Sequence, residues 1–121
     1  MGFIKFENYN KKGRQLTISI SDKVFILSSV FIEKYNLQSY KYVNLYYDKE
    51  AISIGIEFVN TRERHSFSLN KTGTTTRTIV CRSFFNFFEI DMRLYNKRYK
   101  PTFQEMENKK IFIIKLENKN N

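Results

Sequence analysis

Residues 24–37, VFILSSVFIEKYNL, and residues 77–90, RTIVCRSFFNFFEI, are two versions of one pattern. Laid over each other at a fixed offset, they pair Ile26 with Ile79, Leu27 with Val80, Ser28 with Cys81 and Phe31 with Phe84. The match continues through Ile32 with Phe85, Tyr35 with Phe88 and Leu37 with Ile90. Each version reads as a β-branched strand, a small residue, then a short amphipathic helix with an aromatic pair at i and i+4, Phe31/Tyr35 and Phe84/Phe88. Ser28 or Ser29 is the expected N-cap of the first helix, and Asn36 suits its left-handed end.

Working outward, Leu16, Ile18 and Ile20 alternate with Thr17, Ser19 and Ser21, the period of a half-buried strand. Asp22 and Lys23 make the turn into Val24. Further strands are predicted over 41–47 and 52–58; in the latter, Ile52, Ile54, Ile56 and Phe58 share one face, and Ser53, Gly55 and Glu57 the other. The charged stretch NTRER, 60–64, separates this unit from a second one of the same order. There Phe67, Ser68 and Leu69 echo Ile18, Ser19 and Ile20, and strands over 97–104 and 110–116 close the unit. Pro101 marks its strand as an edge or a bulge.

The expected fold class is therefore α+β and β-rich: two ββαββ repeats, 15–61 and 62–117, form a pseudo-dimeric, barrel-like core in one structural domain. An extension, 1–14, with a short strand over Phe3 to Phe6, precedes them, and a polar tail, 118–121, follows. The end from Glu117 onward is expected to fray.

The order strand, turn, strand ending in a small residue, helix with a Leu-type stop, then β-hairpin resembles the AbrB and MraZ type of swapped-hairpin DNA-binding domain. LTISISDKVFILSSVFIEKYNL followed by YKYVNLYYDKEAISIGIEF carries the resemblance over about residues 15–60, and 65–117 carry it more loosely. Two units in one chain are similar to the tandem arrangement of MraZ. The resemblance implies a double-stranded DNA-binding transcription regulator, with basic residues on and beside the hairpins. Transferred position by position, that role falls on Arg77, with Lys23 beside its counterpart. Ser28 and Cys81 stand where the family usually has proline, and the helix positions that are often arginine hold Ile32, Glu33, Phe85 and Asn86. Taken circularly, the same elements also resemble a permuted Whirly-type module for single-stranded nucleic acid.

Charge favours a polyanionic partner by a separate route. The formal net charge is +9, and it is uneven: residues 1–60 carry eight Lys/Arg against six Asp/Glu, whereas 61–121 carry thirteen against six. Arg62, Arg64, Lys71, Arg77, Arg82, Arg93, Lys97, Arg98 and Lys100 meet only Glu63, Glu89 and Asp91 in their stretch. Such an unpaired excess suits phosphate neutralisation, and a solvated basic face is the plainer alternative. Arg98, Lys100, Thr102 and Gln104 alternate to one face, a row that can follow a backbone.

Tyr40, Tyr42 and Tyr46 recur at even spacing opposite Val43, Leu45 and Tyr47, a stacking platform for unpaired bases if solvent reaches it and ordinary strand aromatics if not. TGTTT, 72–76, lacks the glycine spacing and the Lys-Ser/Thr of a P-loop. His65 and Cys81, each the single residue of its kind, have no partners at a catalytic or metal-ligand spacing. Asp48, Glu50, Asp91, Glu105 and Glu107 fall in loops or at edges with no reason to pair.

The chain thus reads as a non-enzymatic, cofactor-free, metal-free nucleic-acid binder, of DNA more than RNA. Homodimerisation and a protein partner (an inhibitor, an antitoxin or a binder of a host factor) are compatible alternatives. One cysteine precludes an intramolecular disulfide, and no apolar run approaches the roughly 20 residues of a membrane span. A cytoplasmic protein without membrane association is the expectation.

Overall fold

A computed structural model describes residues 16–21 and 24–118. The extension 1–14 with its strand, the turn at Asp22 and Lys23, and residues 119–121 lie outside the described residues. The elements run β1 (Ile18–Ser21), β2 (Val24–Leu27), α1 (Ser29–Lys34), β3 (Tyr42–Asp48), β4 (Ser53–Val59), β5 (Phe67–Ser68) and β6 (Asn70–Lys71). They continue as β7 (Arg77–Val80), α2 (Arg82–Phe87), β8 (Arg98–Tyr99), β9 (Thr102–Met106) and β10 (Lys109–Lys115).

These strands make two antiparallel five-stranded sheets. Sheet A has the order β6-β7-β2-β1-β8, and sheet B the order β5-β3-β4-β10-β9. The expected barrel-like core is replaced by two sheets that do not close by hydrogen bonds. The reason lies in two strands that bend. The stretch read as a strand at 67–69 ends at Leu69, with β5 before it in sheet B and β6 after it in sheet A. The one through 97–104 divides at Lys100 and Pro101 into β8 in sheet A and β9 in sheet B. Proline has no N–H for a ladder, so pairing stops there, and both β8 and β9 end their sheets.

Both sheets draw strands from both sides of the 60–66 loop. In sheet A, β2 pairs with β7, setting Phe25 opposite Ile79 and Leu27 opposite Arg77. In sheet B, β4 pairs with β10, setting Gly55 opposite Ile113 and Ile56 opposite Phe112. The alternation predicted at Ile18 and Ile20, and at Ile54, Ile56 and Phe58, is the buried set of β1 and β4. Ile52 differs: it sits before β4 at φ 49, exposed in the turn. One hydrophobic cluster takes in Phe25 and Ile79 from sheet A, Phe112 and Ile114 from sheet B, and Phe31 and Phe85 from the helices.

The helices end alike. Asn36 adopts φ 54, its N–H donating to Glu33 O, while Leu37 N–H reaches back to Ile32 O at 2.9 Å. Glu89 adopts φ 55, with Asn86 O and Phe85 O in the matching places. This is the hydrogen-bond pattern of a Schellman stop with a left-handed residue at its turn. The aromatic pairs also match, with ring centroids 5.5 Å apart for Phe31/Tyr35 and 5.2 Å for Phe84/Phe88.

The strands feeding the helices do not keep the same offset. Leu27 is fully buried while Val80 is 57% exposed, and Ile26 is half-buried while Ile79 is buried. The pairing of Ile26 with Ile79 and of Leu27 with Val80 is therefore corrected: each pair faces opposite sides. The phase slips at the strand-to-helix step. Ser28 is extended there (φ −64, ψ 153) and its Oγ accepts Phe31 N–H, whereas Cys81 (φ −135, ψ 41) makes no side-chain cap and turns inward.

The end of the chain is held further than expected. Glu117 receives Lys97 Nζ at 3.1 Å, and its N–H donates to the Tyr99 hydroxyl.

Candidate nucleic-acid interface

The basic residues singled out in the sequence fall on several elements. Arg77, expected as the hairpin contact, is only 6% exposed; its Nη1 donates to Thr75 O at 2.8 Å and to Thr76 O at 3.3 Å. It faces the core beside Leu27, so its guanidinium holds the 72–76 turn and is not presented to a ligand. Lys23 lies outside the described residues. Arg62 and Arg64 are exposed on the β4–β5 loop, and Lys71 is exposed on β6 opposite Arg77. Arg82 opens α2 and shares a cleft with Asp91 and Arg93, which pair at 3.2 Å. Asp91 is held below the usual carboxylate range by its hydrogen bonds from Arg93.

Arg98 and Lys100 do converge. Together with Lys97, Thr102, Lys115 and Glu117 they line a cleft of about 210 Å³ where β8 bends into β9. They also line a second cleft, of about 420 Å³, with Leu16 and Thr17. Lys97 is engaged by Glu117, but Arg98, Lys100 and Lys115 have no acidic side chain within 4.0 Å among the described residues. The alternation that places Arg98, Lys100, Thr102 and Gln104 outward has its counterpart in buried Tyr99. Lys115 was missed by the sequence reasoning. Its signal was the period-2 row Lys109, Ile111, Ile113, Lys115, opposite buried Phe112 and Ile114.

The tyrosine platform is smaller than predicted. Tyr40 precedes β3 and packs inward, its ring 5.9 Å from Phe58 and capped by Lys110 Nζ at 5.7 Å, so it is no outer stacking surface. Tyr42 and Tyr46 lie on the outer face of sheet B, and Tyr46 is half exposed. Beside them Glu57 is buried on that outer face, which sequence reasoning left as an ordinary solvent-side residue. Its Oε1 accepts the Tyr46 hydroxyl at 2.6 Å and Asn44 Nδ2 at 3.3 Å, and Lys109 Nζ stands 3.6 Å from Oε2. Asn44 also donates to Glu63 at 3.0 Å and accepts from Ser66 at 2.6 Å, tying the loop after β4 to the sheet.

The electrostatic consequences are opposite for the two partners. The hydrogen bond to Glu57, burial and the carboxylate charges push the Tyr46 hydroxyl up to about 12. Burial alone would raise Glu57, but the donors Tyr46 and Asn44 and the Lys109 charge outweigh it and hold the carboxyl below its usual value.

Past Glu57 the outer face hollows into a trough of about 530 Å³. Its lining includes Tyr46, Gly55, Ile111 and Ile113, with Gln104 and Lys109 among the polar residues. Ile113 also lines the basic cleft, so the two recesses adjoin. Cys81, by contrast, is a buried thiol pushed up to about 12 by desolvation, and His65 is exposed at φ 69 on the 60–66 loop. Among the described residues, no helix is long and apolar enough to cross a membrane.

Compared with protein-family models, curated proteins and solved structures, the chain matches none.

Proposed function

We propose that this is a small basic nucleic-acid-binding protein, without catalysis or cofactor, that grips the sugar-phosphate backbone at the bend between β8 and β9. The observation that carries this reading is the convergence of Arg98, Lys100 and Lys115 on one cleft whose carboxylate, Glu117, is paired with Lys97. Three unpaired cations beside a threonine hydroxyl supply charge and hydrogen-bond donors for phosphate oxygens. The adjoining aromatic and apolar face of sheet B gives unpaired bases a surface that a duplex would keep stacked inside. Single strands are therefore the favoured substrate.

The test is fluorescence anisotropy with single- and double-stranded oligonucleotides of matched sequence, from low to physiological salt. Replacing Arg98, Lys100 and Lys115 together by alanine is expected to weaken binding strongly. It should also reduce the log–log salt slope by about 2–3, near 0.7–0.9 for each phosphate no longer neutralised. Unchanged affinity and slope would remove the site assignment.

A second reading, a duplex-binding regulator of swapped-hairpin type, is favoured by the strand pairing. β2 meets β7 at Phe25 and Ile79, and β4 meets β10 at Gly55 and Ile113, as two ββαββ halves related by an approximate two-fold axis would pair. The helices support an exchange between halves: Tyr35 of α1 packs on Phe103 and Phe112, and Phe88 of α2 on Tyr47. Preferential binding of the duplex in the same titration would select this reading.

A further inference from the structure

We infer that the trough over Gly55 is a pocket for one unpaired nucleobase, stacked against Tyr46, while the adjoining cleft holds its flanking phosphate; this rests on the nucleic-acid reading above. The glycine itself points to a ligand. Gly55 sits inside β4, where a glycine weakens a strand, and its φ is not positive. An added Cβ would meet Tyr46 Cβ at 3.6 Å and Ile111 Cγ2 at 3.8 Å, which are ordinary contacts. Neither backbone conformation nor crowding requires a glycine here. What the missing side chain leaves is a methyl-sized hollow within van der Waals reach of both the Tyr46 ring and Ile111.

The trough's volume of about 530 Å³ falls within the range of small-ligand sites, roughly 300–1,000 Å³. Its lining joins Tyr46 and Tyr47 to Ile54, Ile111 and Ile113, which suit the faces of a flat heterocycle, and it includes the Asp48 and Glu107 carboxylates. The Gln104 amide and the Lys109 ammonium at its margin can meet the polar edge of that ring.

The adjoining cleft supplies charge complementarity. Ile113 belongs to both recesses, so a ring in the trough has its backbone directed towards Arg98, Lys100 and Lys115. An apolar metabolite would leave those cations unused. A nucleotide within a strand uses both recesses.

The experiment compares a fluorescein-labelled 12-residue oligothymidylate with an abasic 12-mer of the same backbone charge. The wild-type protein is expected to bind the base-bearing strand at least about tenfold more tightly, the scale of one base stacked on an aromatic ring. Gly55→Val, which fills the hollow, should bring the two affinities together while leaving abasic binding and the melting midpoint at or above wild type. Gly55→Ala, the smaller filling, should narrow the difference, and Tyr46→Phe, which keeps the ring, should preserve it. Equal binding of the two strands by wild type overturns the pocket and leaves the backbone-binding reading standing. So does a Gly55→Val protein that still prefers the base-bearing strand. Binding of neither strand at low salt overturns both.

Discussion

The Tyr46 hydroxyl donates to Glu57 Oε1 at 2.6 Å on the outer face of sheet B, joining a half-exposed ring to a buried carboxylate. The pair makes stability depend on pH at both extremes. Tyr46 is raised in the folded state, so its contribution is complete below the ordinary value of 10.0 and is lost as pH rises towards about 12. Glu57 is lowered, so its contribution is present above 4.5 and is lost as pH falls through the folded value. Chemical denaturation across pH should show both losses, and Tyr46→Phe should flatten the alkaline one. Removing the Glu57 charge with Glu57→Gln is expected to cost about 1–3 kcal/mol near neutral pH, the range for hydrogen bonds to a charged group.

Arg77 should behave as a structural residue. Arg77→Met removes the donors to Thr75 O and Thr76 O while retaining much of the apolar stem, and is expected to destabilise the protein by about 1–3 kcal/mol. Anisotropy on the folded variant should show nucleic-acid affinity within twofold of wild type. A large loss of affinity at unchanged stability would return Arg77 to the interface.

Glu89 is a left-handed residue with a Cβ and no local reason to be one. Glu89→Gly is expected to stabilise the protein by about 0.5–1 kcal/mol, the left-handed penalty of roughly 1–2 kcal/mol less the extra chain entropy glycine loses. Thermal unfolding should register a gain of several degrees. Asn36→Gly should change less, since asparagine tolerates this conformation.

Cys81 should be inert while the protein is folded. A buried thiol pushed up to about 12 carries almost no thiolate at pH 8, so a disulfide-exchange reagent should label it slowly in buffer and fully in denaturant. Rapid labelling of the native protein would contradict its placement.

Local order was legible wherever one face of an element decided its burial. Ile18 with Ile20, Ile54 with Phe58, and Phe31 and Phe84 announced their inward faces through spacing alone, while Tyr35 is half-buried and Phe88 exposed. The stop at Asn36 followed from its side chain. Period-2 alternation does not say how far a polar residue sinks beneath its neighbours, so buried Glu57 read as solvent-facing. Nor does it carry phase through an irregular step, so Arg77 was placed outside where the fold buries it. The cleft at Arg98 and Lys100 was half legible, because Lys115 reaches it through strand pairing across sheet B.

The two strands that bend, one at Leu69 and one at Lys100 and Pro101, have a mechanical consequence. Each is a covalent stitch between the sheets, and the chain crosses from one to the other at both seams. A tear beginning at the β8 edge therefore pulls on β9, and one at β6 pulls on β5, so neither sheet can peel away while its neighbour stays intact. The face that carries Tyr46 and Gly55 belongs to the sheet joined at both of these seams.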